Sequence, residues 1–208
     1  MSFRHPAPIL FLVLALGVRA AGSDLASDGE QKVRYVLNFT EYVEWPAKAF
    51  ADAKAPIVIG IIGEDPLGDA WKVLEGKRSQ GRSLEVRRFK GIMEFRGQEA
   101  PGRRQDELEA KRKQKERQLR ACHVLYVSRS EDAFLPQVFR TVRKANVLTV
   151  GDKPGFTRQG GVIGFFEIGS RLSFEINLVF ADAAELKISS KLLTLAKVIR
   201  KEDVQAKP

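Results

Sequence analysis

Residues 148–193 read LTVGDKPGFTRQGGVIGFFEIGSRLSFEINLVFADAAELKISSKLL and hold the densest run of structural signals in the chain. The segment VLTVGD predicts a strand that ends in a Gly-Asp turn. Two further runs, VIGFFEI and LSFEINLVF, flank Gly169–Ser170 and predict an antiparallel hairpin. Apolar residues recur at helical spacing over 188–199, which predicts a closing amphipathic helix. The stretch contains no recognisable nucleophile, acid–base pair or metal cage.

Upstream of this stretch, strand and helix patterns alternate. The β-branched run that begins at Ile57, IVIGIIG, predicts a central strand with both faces covered. Shorter strands are predicted at 84–89 and 123–128, with helices between them. This order is typical of an α/β fold. We expect a single open, mostly parallel sheet flanked by helices, with Rossmann-like or flavodoxin-like layering and a C-terminal antiparallel hairpin.

The N-terminus has the pattern of an export signal. A short basic start is followed by an almost unbroken apolar run and then by small residues, which predicts a secretory signal peptide over residues 1–20. The alternative is an uncleaved membrane anchor, but the apolar run is short for a bilayer span. We expect a flexible N-terminus at 21–29, one α/β domain over 30–201, a disordered tail at 202–208, and a periplasmic location with no transmembrane segment in the mature chain.

Much of the formal net charge of +9 lies in a basic segment at 103–120, which predicts a charged helical insertion. The segment has no aromatic residue, whereas nucleic-acid surfaces combine basic groups with aromatic ones. We therefore expect no nucleic-acid partner. A solvated helix with pairs such as Glu107 and Lys111 is the simpler interpretation; attraction to an anionic membrane face or an acidic partner is the alternative.

Polar residues follow the predicted parallel strands, where ligands bind in open α/β sheets. They are Glu64 and Asp65 after the first strand, Ser128 after the third and Asp152 after the fourth. Free backbone N–H groups in these loops suit a small anion or a carboxylate. Glu64 and Asp65 are explained equally well by helix capping.

Specific chemistries find no support in the sequence. The loop after the first strand lacks the glycine pattern of a dinucleotide site, and the chain has no phosphate-loop motif. A phosphoacceptor receiver domain would need an aspartate where Ser128 stands. One cysteine, Cys122, and two histidines, of which His5 is in the predicted signal peptide, exclude a disulfide and a histidine-rich metal site. We expect no catalytic residue, metal or cofactor; an enzyme that uses Cys122 and His123 is the least favoured hypothesis.

Several segments, in their order and spacing, resemble the YfiR-like family of exported bacterial proteins over residues 31–199. These segments are NFTEYVEWP (38–46), IGIIGEDPLG (59–68), GKRSQGRSLEV (76–86), CHVLYVS (122–128), LTVGD (148–152), Phe156 with Gly160–Gly161, and FEINL (174–178). The resemblance implies a periplasmic repressor that contacts the periplasmic sensory part of a membrane diguanylate cyclase. The resemblance further implies that release of that contact raises cyclic di-GMP and favours biofilm growth.

The chain departs from the namesake of the family in its cysteines and in the charged insertion at 107–117, which is longer than the family core requires. The namesake is redox-sensitive through disulfides, whereas this chain has only Cys122, so a thiol switch within one subunit is excluded. The expected partner is an inner-membrane diguanylate cyclase or sensor protein, and a homodimer is a further assembly left open. A periplasmic small-ligand sensor is the alternative function.

The candidate ligand- or partner-binding residues combine the strand-end positions with the marks of the resemblance. They are Trp45, Glu64, Asp65, Ser128, Asp152, Phe156, Glu175 and Asn177. Each has a plainer interpretation as well: Trp45 can fill the core, and Glu175 and Asn177 can lie on a solvated face of their strand.

Overall fold

The computed structural model describes residues 22–92 and 105–205. The helices are α1 Gly22–Tyr42, α2 Gln105–Arg120, α3 Leu135–Val142, α4 Leu178–Ala183, α5 Ser190–Leu193 and α6 Lys201–Gln205. The strands are β1 Val43–Glu44, β2 Ile57–Ile62, β3 Arg78–Ser79, β4 Arg82–Phe89, β5 Val124–Val127, β6 Leu148–Gly151, β7 Ile163–Ile168, β8 Arg171–Asn177, β9 Lys187–Ile188 and β10 Lys197–Ile199. Short 3₁₀ helices cover Ala47–Ala49, Gly68–Leu74, Arg129–Phe134 and Phe156–Arg158.

Eight strands form one open sheet in the order β10-β8-β7-β6-β5-β2-β4-β3. The pairs from β7 through β6, β5 and β2 to β4 are parallel, as is β10 with β8. The hairpin β7–β8 and the β3–β4 pair are antiparallel. The predicted mostly parallel sheet with an antiparallel hairpin is confirmed. A separate two-stranded sheet, β1 with β9, was not predicted.

Helices cover the two faces of the sheet and form two apolar clusters. On one face, Val33, Val36 and Phe39 of α1 pack against the strands and against Trp71. On the other face, α2 and α3 cover β2 and β5 through a cluster that includes Leu119 of α2. The central strand β2 is buried along its whole length, because a parallel strand between two helical layers exposes neither face.

The predicted closing helix over residues 188–199 is wrong. Only Ser190–Leu193 is helical, and Ser189 caps that turn by accepting a hydrogen bond from the Lys191 N–H. Lys197–Ile199 is instead a strand that extends the sheet alongside β8. The free edge of β8 offers backbone hydrogen-bond partners to the β-branched pair Val198–Ile199, and this tertiary contact overrides the helical pattern.

Both ends of the described range, 22–205, are helical. Helix α1 begins at Gly22, inside the segment 21–29 that we expected to be flexible, and α6 occupies the first part of the tail expected to be disordered from residue 202. The predicted signal peptide at 1–20 lies outside the described residues. The basic segment forms α2, as predicted, from residue 105; its first two residues also lie outside the described part.

Candidate functional site

The structure brings four of the candidate residues to one edge of the sheet. Glu64 and Asp65 follow β2, Ser128 follows β5 and Asp152 follows β6, and these three strands are neighbours in the order β6-β5-β2. We call this region, made of the loops after β2, β5 and β6, the carboxyl edge. It is where open α/β sheets bind ligands.

Hydroxyl groups join the loops after β2 and β5. The Ser130 hydroxyl accepts a hydrogen bond from the Glu64 N–H at 2.9 Å and lies 3.3 Å from the Ser128 Oγ. Ser128 is buried and caps the 3₁₀ helix that follows it. A Cβ at Gly63 would lie 2.3 Å from the Ser130 Oγ, so only glycine fits there. These polar groups hold the two loops together.

Asp65 organises the loop after β2. One carboxylate oxygen accepts hydrogen bonds from the Leu67 and Gly68 N–H groups and from the Trp71 indole N–H at 2.9 Å. The other oxygen is paired with Arg88 at 3.0 Å. The capping interpretation is therefore correct in chemistry, although Gly68–Leu74 is a 3₁₀ helix rather than the predicted α-helix. With four donors on one carboxylate, Asp65 has little capacity for a ligand.

Asp152, whose side chain is buried, is the centre of an ion-pair network that sequence reasoning missed. Its Oδ2 lies 3.1 Å from the Lys32 Nζ, and its Oδ1 lies 3.2 Å from the Arg129 Nε. Lys32 also pairs with Asp28 one helical turn earlier, at 3.0 Å. The middle of α1 thus lies beside the carboxyl edge and places the Lys32 ammonium group against Asp152.

The environment of Lys32 fixes its charge. Burial alone would lower the pKa of Lys32, but hydrogen bonds to Asp28 and Asp152 and the charges of both carboxylates outweigh it and raise the pKa above its ordinary value. Lys32 therefore stays protonated at neutral pH. A signal for it exists in the sequence, because Lys32 stands four positions before Val36, on the apolar stripe of α1, where a solvated lysine would not be placed.

Beneath this network lies the Tyr126 hydroxyl, which is buried and has no hydrogen-bond partner within the described part of the chain. The Trp71 ring packs edge-on against the Tyr126 ring, with centroids 5.5 Å apart. Burial and then the charge of Asp152 raise the pKa of Tyr126, so the phenol stays protonated. A protonated phenol at this place can donate a hydrogen bond but cannot act as a base.

Trp45 lies at the opposite end of the sheet, away from the carboxyl edge. Its indole N–H donates to the His123 carbonyl at 3.2 Å, just before β5 begins. The His123 Nδ1 accepts from the Val58 N–H at 3.0 Å, so the proton is on Nε2, which donates to the Ala49 carbonyl at 3.1 Å. The imidazole also stacks on Phe50, with ring centroids 4.3 Å apart. Trp45 and His123 connect the loops around β1 to the sheet.

The two side chains that could have supported an enzyme are held in unreactive states. Burial raises the pKa of the Cys122 thiol to about 12, and the thiol packs against Gly60 of β2. Burial lowers the pKa of His123 to about 4. The thiol is therefore protonated at neutral pH, whereas nucleophilic cysteines need a lowered pKa.

The remaining three candidates lie around the loop between β6 and β7. Phe156 is buried in the α3-side cluster. Thr157 donates its hydroxyl proton to the Glu175 carboxylate, and its carbonyl accepts from the Asn177 amide at 3.0 Å. Asn177 also caps α4 through the Val179 and Phe180 N–H groups. Glu175 and Asn177 share one strand face, as predicted, and both hold Thr157 in place.

No cluster of three or more metal-binding side chains occurs in residues 22–92 and 105–205. Over the same residues, no helix is long and apolar enough to cross a membrane.

Comparison with solved structures supports the fold. A conserved domain protein from Vibrio cholerae O1 biovar eltor str. N16961 superposes with a TM-score of 0.52 at 12% sequence identity, covering 83% of this chain and 60% of that chain. This chain therefore spans less than two thirds of the length of that protein. At this identity the likeness concerns the fold alone. No curated protein matches the sequence.

A sequence profile described as DUF4154, YfiR/HmsC-like, matches residues 30–197. The match begins in α1, includes the carboxyl edge and ends at the start of β10. The family is one of periplasmic, non-catalytic regulators. Because the profile covers most of the chain and nearly all of its described fold, this protein belongs to the YfiR/HmsC-like family.

Proposed function

We propose that this protein is a periplasmic regulator that represses a membrane diguanylate cyclase, or a similar inner-membrane signalling protein, by contact with the periplasmic sensory part of that protein. The observation that carries the proposal is the family match over residues 30–197. Release of the contact would raise cyclic di-GMP and favour biofilm growth. Export would depend on the signal peptide proposed at residues 1–20.

The bonding of the carboxyl edge supports regulation by contact rather than catalysis. The side chains of Asp65, Ser128 and Asp152 are each bonded to groups of this same chain. A catalytic carboxylate or hydroxyl needs a free position beside a substrate atom. These groups instead hold loops and helices together, which makes the edge a rigid surface.

Three exposed side chains are the proposed first contacts with the partner. Of the eight candidate residues, Glu64 is the exposed one, on the rim of the carboxyl edge. Ile168, at the tip of the β7–β8 hairpin, and Leu195, just before β10, are exposed by 62% and 69%. Binding of a partner that covers exposed apolar side chains is favourable, because it removes apolar surface from water.

A homodimer through β4 remains part of the proposal. Within the described part of the chain, Leu84–Phe89 pair with β2 on one side, and the partner on the other side, β3, reaches only Arg82 and Ser83. Unpaired strand edges accept a second strand readily.

Co-expression with a candidate cyclase tests the proposed function. The mature chain and a membrane diguanylate cyclase encoded beside it are produced together, and cyclic di-GMP and co-purification from mild detergent are measured. We expect the chain to be retained on the cyclase and cyclic di-GMP to fall. Ile168→Glu and Leu195→Glu should each release repression, because contact with the partner would remove water from the new carboxylate and so weaken binding.

Lys54→Glu is the matched control, since Lys54 is exposed and lies on a different loop from the three proposed contacts. It should repress like the unaltered chain. Repression by the two glutamate variants equal to that of the control would refute the contact surface. Failure of the unaltered chain both to bind and to repress the cyclase would refute the function itself.

A further inference from the structure

A groove of about 370 Å³ lies on the α3 side of the sheet; the loop after β6 contributes to it, but none of the bonded polar side chains of the carboxyl edge lines it. Its walls come from α3, from the 3₁₀ turn Phe156–Arg158 with the residues that follow it, and from α4. The lining residues are Pro136, Phe139, Val142, Arg143, Lys144, Val147, Thr149, Arg158, Gln159, Gly160, Val162, Phe180, Ala183 and Ala184.

The inside of the groove is largely apolar. Val142, Val147 and Val162 belong to the buried core, and the half-buried rings of Phe139 and Phe180 line the walls. The polar side chain on the floor, Thr149, is already engaged, because its hydroxyl accepts the Val162 N–H at 3.0 Å. The floor thus presents hydrocarbon to whatever enters.

Three cations lie at the rim, and no acidic residue of the part that the structure describes lines the groove. Arg143, Lys144 and Arg158 are exposed, and none of the three has an ion-pair partner within residues 22–92 and 105–205. The acidic residue of α4, Asp182, is exposed and is not part of the lining. An apolar cleft whose rim carries cations alone is complementary to an anion with an apolar body.

Hydrogen bonds fix both walls before any ligand binds. The guanidinium of Arg120 donates to the Thr141 carbonyl at 2.8 Å and to the Arg143 carbonyl at 3.1 Å, which holds the backbone at the end of α3. Asn146, which is buried and has a positive φ of 58°, donates its amide proton to the Ala184 carbonyl at 2.8 Å. This bond ties α4 to the loop before β6. A groove with fixed walls loses little conformational entropy when it binds a ligand.

We propose that this groove is a binding site for a small apolar carboxylate, with the hydrocarbon on the valine and phenylalanine lining and the carboxylate among Arg143, Lys144 and Arg158. The volume is that of a small-molecule site, since ligand pockets span about 300–1,000 Å³. The lining includes none of Asp65, Ser128 and Asp152, the polar groups of the carboxyl edge that are already bonded within the chain. The proposal goes beyond contact with a partner protein, and it stands whether or not that contact exists.

Calorimetric titration with octanoate tests the site. The unaltered chain should bind octanoate at one site, and neutral octanol and octylammonium should bind at least about tenfold more weakly, because rim cations favour an anion and repel a cation. Lys144→Gln and Arg158→Gln should each weaken octanoate binding about threefold, and together about tenfold, as expected for solvent-exposed charges.

Two further variants separate the groove from general effects. Ala183→Phe places a ring in the groove from an exposed helix position, so it should abolish binding while the melting temperature in the absence of octanoate stays unchanged. Lys191→Gln removes an exposed cation outside the lining and should leave the affinity unchanged. Absence of octanoate binding, equal affinity for octanol, or unaltered affinity in Ala183→Phe would each overturn the proposal.

Discussion

The Lys32 Nζ lies 3.1 Å from the Asp152 Oδ2, and the pair joins the first helix to the loop after β6 across 120 residues of sequence. Both side chains are about nine-tenths buried. Charges in such a position are stable only while paired, because the loss of one partner leaves the other desolvated and uncompensated. The pair is therefore a long-range tie between α1 and the sheet.

Replacing Lys32 with methionine should lower the free energy of unfolding by about 3 kcal/mol, near the lower end for a broken buried pair, because Asp152 keeps Arg129 as a partner. Urea denaturation followed by circular dichroism measures this change. The double variant Lys32→Met with Asp152→Asn should cost less than the sum of the two single changes, since the residues contact each other.

Lys72→Met is the matched control. Lys72 pairs with Asp69 at 3.0 Å, but both side chains are exposed, so its loss should change the free energy of unfolding by less than about 0.5 kcal/mol. If Lys32→Met changed the free energy of unfolding as little as Lys72→Met, the Lys32–Asp152 pair would not stabilise the fold.

The positions of the central strands could be predicted from the sequence, but the pairing of their polar ends could not. Runs such as the one that begins at Ile57 bury both faces, and this composition identifies a central strand without tertiary information. By contrast, Asp152 was a plausible ligand-binding group because its place at a strand end was predictable. Its partner Lys32 comes from a helix far away in sequence, and no local pattern specifies that contact.

The neutral state of His123 should make stability depend on pH. Burial lowers the pKa of this imidazole from 6.5 to about 4 in the folded chain. Between these two pH values His123 is protonated in the unfolded chain and neutral in the folded chain. The part of the free energy of unfolding that depends on His123 is therefore complete above pH 6.5 and is lost as the pH falls toward 4. The loss is up to about 3 kcal/mol. Urea denaturation at intervals from pH 8 to pH 4 measures it.

His123→Gln is the control for this pH dependence. A glutamine amide can accept from the Val58 N–H and donate to the Ala49 carbonyl, but it does not titrate. The variant should lose less stability than the unaltered chain over the same pH range. Identical pH profiles for the two proteins would show that His123 does not contribute to acid sensitivity.

Cys122 should be unreactive in the folded protein. Its side chain is 2% exposed, and burial raises the pKa of the thiol to about 12, so the thiolate that attacks disulfide reagents is scarce at neutral pH. With Ellman's reagent at pH 7.5, labelling should be slow in native buffer and complete in 6 M guanidinium. Fast native labelling would contradict the buried position and would show that Cys122 is accessible enough to form a disulfide with a second chain.

The C-terminal region shows a second limit of sequence-based prediction. The apolar spacing over 188–199 fits a helix, and a four-residue turn followed by a three-residue strand gives the same spacing. The structure is decided by the unpaired edge of β8, which is distant from Lys197–Ile199 along the chain. Short elements have too few residues for their period to be measured, so tertiary contacts determine them.

The contact between Gly161 and Phe156 should allow no side chain at position 161. A Cβ built on Gly161 would lie 2.1 Å from the Phe156 ring, which is itself 1% exposed and packed edge-on against Phe139 at 5.3 Å between centroids. Gly161→Ala should therefore destabilise the protein by at least about 2 kcal/mol through overpacking. Urea denaturation gives the value.

A smaller residue at 156 should relieve this clash. Phe156→Leu alone should destabilise by leaving a cavity, but combined with Gly161→Ala it should cost less than the sum of the single changes, because the methyl group would fill part of the space. Gly29→Ala is the control. Gly29 lies in α1, and a Cβ there would meet the Ala70 Cβ at an ordinary contact distance of 3.5 Å. That change should stabilise the chain by up to about 1 kcal/mol through helix propensity. Additive costs at 156 and 161 would show that the two residues do not constrain each other.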